Sequence, residues 1–277
     1  MKLLIKLGYA NGHFAYFYKF GMFTNGFGIP LHIHFFDQDF FSNLPSDFET
    51  PEDQKFTYDN ASLAPVLKSF FGHIGYGRFH TFMGDSEFDS YDNHGLLDEL
   101  GFSKRFIPFN DRNTPLSNEP IPRNSEAIPC CPKDIYSTFI PDGCCKGKKR
   151  SKRYKFVCPK SVKVNNRWTS SCDDKCRKTN STVTTYTYKS EDLRTFPGVL
   201  RGSKQWSQQY KKRTIIEREI SSMKSHPALE RPNTYNCASM RADVLLNASA
   251  KLLTVILAFA IGKPSYMRNI KKLLRAA

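Results

Sequence analysis

The sequence is short of acid. Only 26 aspartates and glutamates stand against 41 lysines and arginines, a formal net charge of +15 over 277 residues. A surplus of that size points to a polyanionic partner, nucleic acid first and an anionic membrane second. Long apolar runs are also lacking. The strongest, LLTVILAFAIG at 252–262, is too short to span a bilayer, and Asp243, Asn247 and Lys251 interrupt its upstream extension. A buried core helix and no membrane partner are therefore expected. The basic start, MKLLIKLGYANGHFAYF, lacks the sustained apolar core and small-residue cleavage site of an export signal. Eight cysteines without such a signal fit a reducing cytoplasm, as metal ligands or free thiols rather than disulfides. There is no internal repeat and no pair of C-x2-C limbs.

What is present reads first as alternating strands and helices. HFAYFYKFGMFTN at 13–25 is aromatic-rich and strand-like, NGFG supplies a turn, and IPLHIHFF at 29–36 returns as the second strand of a hairpin. LAPVLKSFFGHI at 63–74 has apolar residues at helical spacing. RFHTFMGD at 78–85 reads as a short strand ending in an acid, DNHGLLDELG at 92–101 as a helix closed by glycine, and KRFIPFN at 104–110 as the next strand. That order predicts a mixed α/β sheet. The length allows one large domain or two modest ones.

Composition shifts near residue 111. From there to 209 the chain is rich in Pro, Cys and Lys with little periodicity, and helical patterns return afterwards. The expected organisation is a first core segment at 1–110, a basic Cys-rich insertion at 111–209, and C-terminal helices at 210–277 that complete the core. Between Cys144 and Lys178 the insertion holds 13 Lys or Arg against two Asp. Lys148, Lys149, Arg150, Lys152 and Arg153 form its densest run, suited to phosphates without sequence preference, or else a solvated loop. Tyr154, Phe156 and Trp168 would stack on distorted DNA or form a small core. Cys144, Cys158, Cys172 and Cys176 are candidate zinc ligands, with reduced structural thiols as the equal alternative.

In YKKRTIIEREISSMKS, at 210–225, Tyr210, Arg213, Glu217 and Lys224 fall within an arc of roughly 60° if one helix runs through them. Ile216 and Ile220 lie to one side. An exposed face with an Arg213–Glu217 pair is the plain reading. The functional reading takes Glu217 as a divalent-metal ligand meeting a strand-end acid, with the basic residues and tyrosine holding DNA. Glu219 points about 160° away from the arc.

Tyr-x2-Arg-x3-Glu-x6-Lys resembles the YREK signature of bacterial insertion-sequence transposases of the DDE class. GDSEFDSYDNHGLLDELGFSKRFIPFNDRN, at 84–113, is similar to that family's segment around the second catalytic Asp. RGSKQWSQQYKKRTIIER is similar to the approach to its catalytic Glu. The resemblance implies an RNase H-like fold and cleavage plus strand transfer of DNA using Mg²⁺ or Mn²⁺. It makes Asp85 and Glu217 the catalytic, metal-binding acids, and Tyr210, Arg213 and Lys224 the residues positioning transposon-end DNA. Asp89 and Asp92 read instead as cap or loop acids. A homodimer on transposon and target DNA is the implied assembly.

The family also needs a first Asp on the opening strand, and no acid precedes Asp37 here; Asp37 and Asp39 follow the third strand instead. The expectation is the C-terminal part of a transposase, a truncated copy lacking that strand, its Asp and any N-terminal DNA-binding domain. A DNA-binding remnant without catalysis is the alternative, and a zinc-dependent regulator is a third reading that rests on cysteines and charge alone.

Overall fold

The structure is a computed structural model and describes residues 6–10, 13–17, 20–36, 59–110, 121–147, 150–174, 176, 182–224 and 237–275. Along the chain the elements are β1 (Lys6–Ala10), β2 (His13–Phe17), β3 (Phe20–Thr24), β4 (Pro30–Phe35), α1 (Asp59–Ile74), β5 (Thr81–Met83), α2 (Tyr91–Glu99), β6 (Lys104–Phe106), β7 (Cys130–Cys131), β8 (Asp134–Thr138), β9 (Ile140–Gly147), β10 (Arg150–Val157), β11 (Ser161–Val164), β12 (Arg167–Ser170), β13 (Thr184–Tyr188), α3 (Lys204–Tyr210), α4 (Thr214–Lys224), α5 (Cys237–Ala260) and α6 (Ile270–Leu274). Contacts group them into two units, Met1–Ile74 with Lys212–Ala277, and Gly75–Lys211. The boundaries thus fall at 74 and 211, where composition alone suggests 110 and 209.

In the first unit, turn chemistry makes the β3–β4 hairpin. The Asn25 side chain accepts hydrogen bonds from Phe27 N at 2.9 Å and Ile29 N at 3.0 Å, and Gly28 takes a positive φ of 77°. Register then sorts the side chains by face. Gly21 pairs with His34 and Phe23 with His32, and this face meets α1. A Cβ on Gly21 would stand 2.7 Å from Val66 Cγ2, so glycine lets the helix approach. Phe23 meets Phe70 edge to face at 5.3 Å. The opposite face, Phe20, Met22, Ile33 and Phe35, packs on Met223 of α4 and on Val244 and Ala248 of α5. Each fully buried Leu or Phe in such a layer contributes about 1.5–3 kcal/mol. The hairpin is therefore covered by helices on both faces. β1 and β2 form a second antiparallel hairpin in this unit.

α5 departs from expectation. The sequence suggests a buried core helix, but only 22 % of its apolar window is buried, and Leu253, Ile256 and Phe259 are all more than 60 % exposed. One stripe, with Val244, Ala248 and Ala258, carries the burial. Polar ties hold the helix to α4: Asn247 Nδ2 donates to Met223 O at 3.4 Å, Lys251 Nζ donates to Ser222 Oγ at 3.1 Å, and Lys251 pairs with Glu219. By length and composition α5 is long and apolar enough to cross a membrane.

The second unit opens with a parallel pair. β5 and β6 align Thr81 with Lys104 and Met83 with Phe106, joined by α2 as the crossover that parallel strands require. Ser90 caps α2 by accepting from Asn93 N at 3.3 Å, and Gly101, at φ 86°, follows its end. Among the described residues β3–β4 and β5–β6 are separate two-stranded sheets, not one mixed sheet. The class remains mixed α/β.

The Cys-rich segment, which shows little period in sequence, is largely β structure. β9, β10 and β13 form an antiparallel sheet in the order β13-β10-β9, and β7–β8 and β11–β12 are hairpins. Asn165 and Asn166, with φ 48° and 61°, make the two-residue turn between β11 and β12. Beneath the sheet lie Ile128, Phe139, Tyr154, Phe156, Cys158 and Phe196.

Candidate functional site

Asp85 stands just past the end of β5. Gly84 N donates to Phe106 O at 3.1 Å, and a Cβ on Gly84 would meet Phe82 and Phe88 rings at 2.9 Å. A larger residue there would require both rings to shift, so glycine suits this strand end. The Asp85 carboxylate accepts from Ser86 N at 2.6 Å and Ser86 Oγ at 3.3 Å, capping the short 3-10 turn Ser86–Phe88. The side chain is exposed. An acid at the carboxyl end of a parallel strand is well placed for ligand chemistry.

The four spaced residues of the C-terminal motif do not share one continuous α-helix. α3 ends at Tyr210, a 3-10 turn occupies Lys211–Arg213, and α4 begins at Thr214. A 3-10 turn advances about 120° per residue instead of 100°, so an arc reckoned at a uniform 100° does not describe this stretch. Tyr210 stacks on Trp206 at 6.0 Å and packs beside Phe106, Val199 and Met83 in the Gly75–Lys211 unit. Arg213 and Glu217, in the other unit, form an i,i+4 ion pair at 2.9 Å on the exposed start of α4. Lys224 ends α4, and its side chain lies outside the described residues.

A densely connected polar group among the described residues centres on Asp89, which the sequence reads as a cap or loop acid. Asp89 is fully buried. Its Oδ2 accepts from Arg194 Nε at 2.9 Å and Asn110 N at 2.8 Å, and its Oδ1 accepts from Arg201 Nη2 at 3.3 Å and His94 Nε2 at 3.0 Å. Arg194 also donates to Asn110 O, while Arg201 donates to Ile107 O at 2.9 Å and Arg194 O at 2.7 Å. The hub ties the chain after β6 and the 194–201 loop to the residues that follow Asp85.

Burial alone would raise the Asp89 carboxyl, but the His94 bond, the Arg201 charge and the Asn110 N–H hold it below its ordinary 3.8. Burial lowers His94 from 6.5 to about 4; the Asp89 bond opposes this and Arg201 reinforces it. The imidazole is neutral near pH 7, so its contact with Asp89 is a hydrogen bond from Nε2–H. Unfolded His94 titrates near 6.5 and so takes up a proton that the folded state refuses. Stability of this unit therefore falls as pH drops from about 6.5 to about 4, by about 3 kcal/mol in full. The Asp89 contribution, present above its ordinary 3.8, is lost at still lower pH. Urea midpoints taken across this range should show that slope, and His94→Gln should flatten it above pH 4 or so.

Of the basic run, Lys148 and Lys149 lie outside the described residues, as does the Arg150 side chain, while Lys152 is exposed on β10. Arg153 lies over two tyrosine rings. Tyr154 and Phe156 are core residues, with Tyr154 stacked on Phe196 at 4.2 Å and its phenol pushed up by burial. Trp168 is half-buried beneath Lys163 Nζ at 5.5 Å.

The candidate zinc ligands are spread over this unit. Cys144 is exposed on β9, opposite Tyr154, and Cys158 is buried under the sheet. Cys172 donates to Asp174 O at 3.2 Å. Cys176 finds Cys131 as its thiol neighbour, and burial followed by that contact raises its pKa. In the other unit His32, His34 and His73 gather with ring centroids 5.7 and 6.3 Å apart. Among the described residues no group of three or more His, Cys, Asp or Glu is arranged to hold a metal ion.

Comparison with known families, curated proteins and solved structures gave no match. The functional reading of this chain therefore rests on its own residues and their placement.

Proposed function

We propose that the chain acts on DNA in the manner of a DDE-class transposase, by metal-dependent cleavage and strand transfer. The observation that carries the reading is the placement of Asp85, exposed at the carboxyl end of β5 within a parallel strand-helix-strand unit. Support comes from the spaced Tyr210, Arg213, Glu217 and Lys224, and from the surplus of positive charge. The element order hairpin, helix, strand, helix, strand lends support to an RNase H-like reading, although the hairpin and the β5–β6 pair are separate sheets among the described residues. In this proposal Asp85 and Glu217 are the acids that bind Mg²⁺ or Mn²⁺, which supplies Lewis-acid activation of the phosphodiester. Arg213 and Lys224 contact DNA.

One observation favours a second reading, a DNA-holding protein without catalysis. Glu217 is already paired with Arg213 at 2.9 Å, the arrangement of an ordinary exposed helix face. The two readings separate in one assay. The full chain is incubated with supercoiled plasmid and Mg²⁺ or Mn²⁺, and duplex affinity is measured alongside. The first reading expects cation-dependent nicking that Asp85→Asn and Glu217→Gln each abolish, with duplex affinity kept within about twofold. Binding without nicking by the parent chain leaves the second reading; neither binding nor nicking removes both.

A further inference from the structure

The outer face of the β13-β10-β9 sheet carries chemistry that the proposal above leaves unused. Register places Arg153 opposite Tyr188 and Lys155 opposite Tyr186. Directly paired residues share a face, so two cations and two tyrosines line one side of the sheet. Tyr154 and Phe156, which alternate with them along β10, are buried. The outer four are only partly buried. The Arg153 guanidinium lies 5.2 Å from the Tyr186 ring centroid and 5.7 Å from that of Tyr188, and the two rings are 6.1 Å apart. Its Nε and Nη1 are buried and have no hydrogen-bond acceptor among the described residues, so the guanidinium meets the rings rather than a counter-charge. Lys155 and Lys163 share the single Asp142 carboxylate, at 2.8 and 3.9 Å, so this rim keeps net positive charge.

Tyrosines crossed by an arginine on an open sheet face suit the flat faces of unpaired bases. A duplex hides those faces within its own stack. We propose that this surface binds single-stranded DNA. Bases stack on Tyr186 and Tyr188, whose rings Arg153 holds in place, and the neighbouring lysines hold phosphate oxygens. The choice of DNA rests on the functional reading above, but the stacking surface fails or stands separately.

The test uses fluorescence anisotropy of the full chain with four labelled probes of about 20 nucleotides: a mixed-sequence single strand, the same strand made abasic, its duplex, and the matching RNA. The parent should bind the ordinary strand at least about tenfold tighter than the abasic one. Tyr186→Ala with Tyr188→Ala should cost the ordinary strand about tenfold or more and leave the abasic strand and duplex within about twofold. Phenylalanine at both positions should restore binding. If the alanine pair loses the parent's tryptophan fluorescence, Arg153→Gln takes its place and should weaken the ordinary strand about tenfold. Equal parental affinity for ordinary and abasic strands, equal losses on both, or tighter RNA binding would overturn the proposal. Duplex binding that persists in those cases leaves the DNA reading standing; a parent that binds no DNA removes both.

Discussion

Asp89→Ala should destabilise the Gly75–Lys211 unit by about 3–5 kcal/mol, enough to unfold a domain of ordinary stability. The carboxylate is fully buried and answers Arg194, Arg201, His94 and Asn110 N at 2.8–3.3 Å. Removing it leaves two guanidinium groups, 0 and 3 % exposed, without their shared counter-charge. Desolvation has already taken Arg201 down to about 10, still far above neutral pH, so it cannot escape by losing its proton. Asp89→Asn should cost less, because an amide oxygen still accepts while the charge is lost. Asp92→Ala, exposed in the first turn of α2, should cost under about 1 kcal/mol. Both tryptophans, Trp168 and Trp206, lie in this unit, so their fluorescence during urea unfolding reports it without interference from the other. A loss for Asp89→Ala no larger than that for Asp92→Ala would show that the hub does not hold the unit together.

The elements legible in the sequence were those governed by near neighbours. The β3–β4 hairpin follows from Asn25 and Gly28, and α2 from Ser90 and Gly101, each acting within a few residues. The Asp89 hub escaped because its partners stand 105 and 112 positions away, and no local pattern marks a carboxylate that will meet two arginines. Strands β9 and β10 escaped for another reason. In RSKRYKFV basic residues alternate with the buried Tyr154 and Phe156, Val157 is buried as well, and the register shifts along the β9–β10 pair, so the two-residue period is masked. The C-terminal motif was visible as spacing, but the break in its helix was not, since a uniform 100° per residue leaves out the 3-10 turn at Lys211–Arg213. The α5 reading failed because apolar content shows that a helix can be buried, not that enough partners exist to cover it.

The same substitution should act with opposite sign at two glycines of this unit, and that contrast tests the packing of the loop that delivers the arginines. A Cβ at Gly198 would stand 1.9 Å from Ser103 O and 3.2 Å from Lys104 Cα, both backbone atoms at the start of β6. Its φ of 86° adds a strain that other residues rarely accept. Neither cost can be relieved by a side-chain rotation, because Arg105 N donates to Pro197 O at 2.8 Å and Arg105 Nη2 to Phe196 O at 2.8 Å, locking the loop to the strand. Gly198→Ala should therefore lose about 3–4 kcal/mol, clash and conformational strain together. Gly95 sits inside α2, and a methyl group added there would meet nothing within 4 Å, so Gly95→Ala should gain about 0.5–1 kcal/mol from helix propensity. Urea midpoints followed by tryptophan fluorescence give both values. A neutral Gly198→Ala would mean the loop stands off from β6. Arg194 and Arg201 would then lose the anchor that brings them to Asp89, and the turn that presents Asp85 would lose its support.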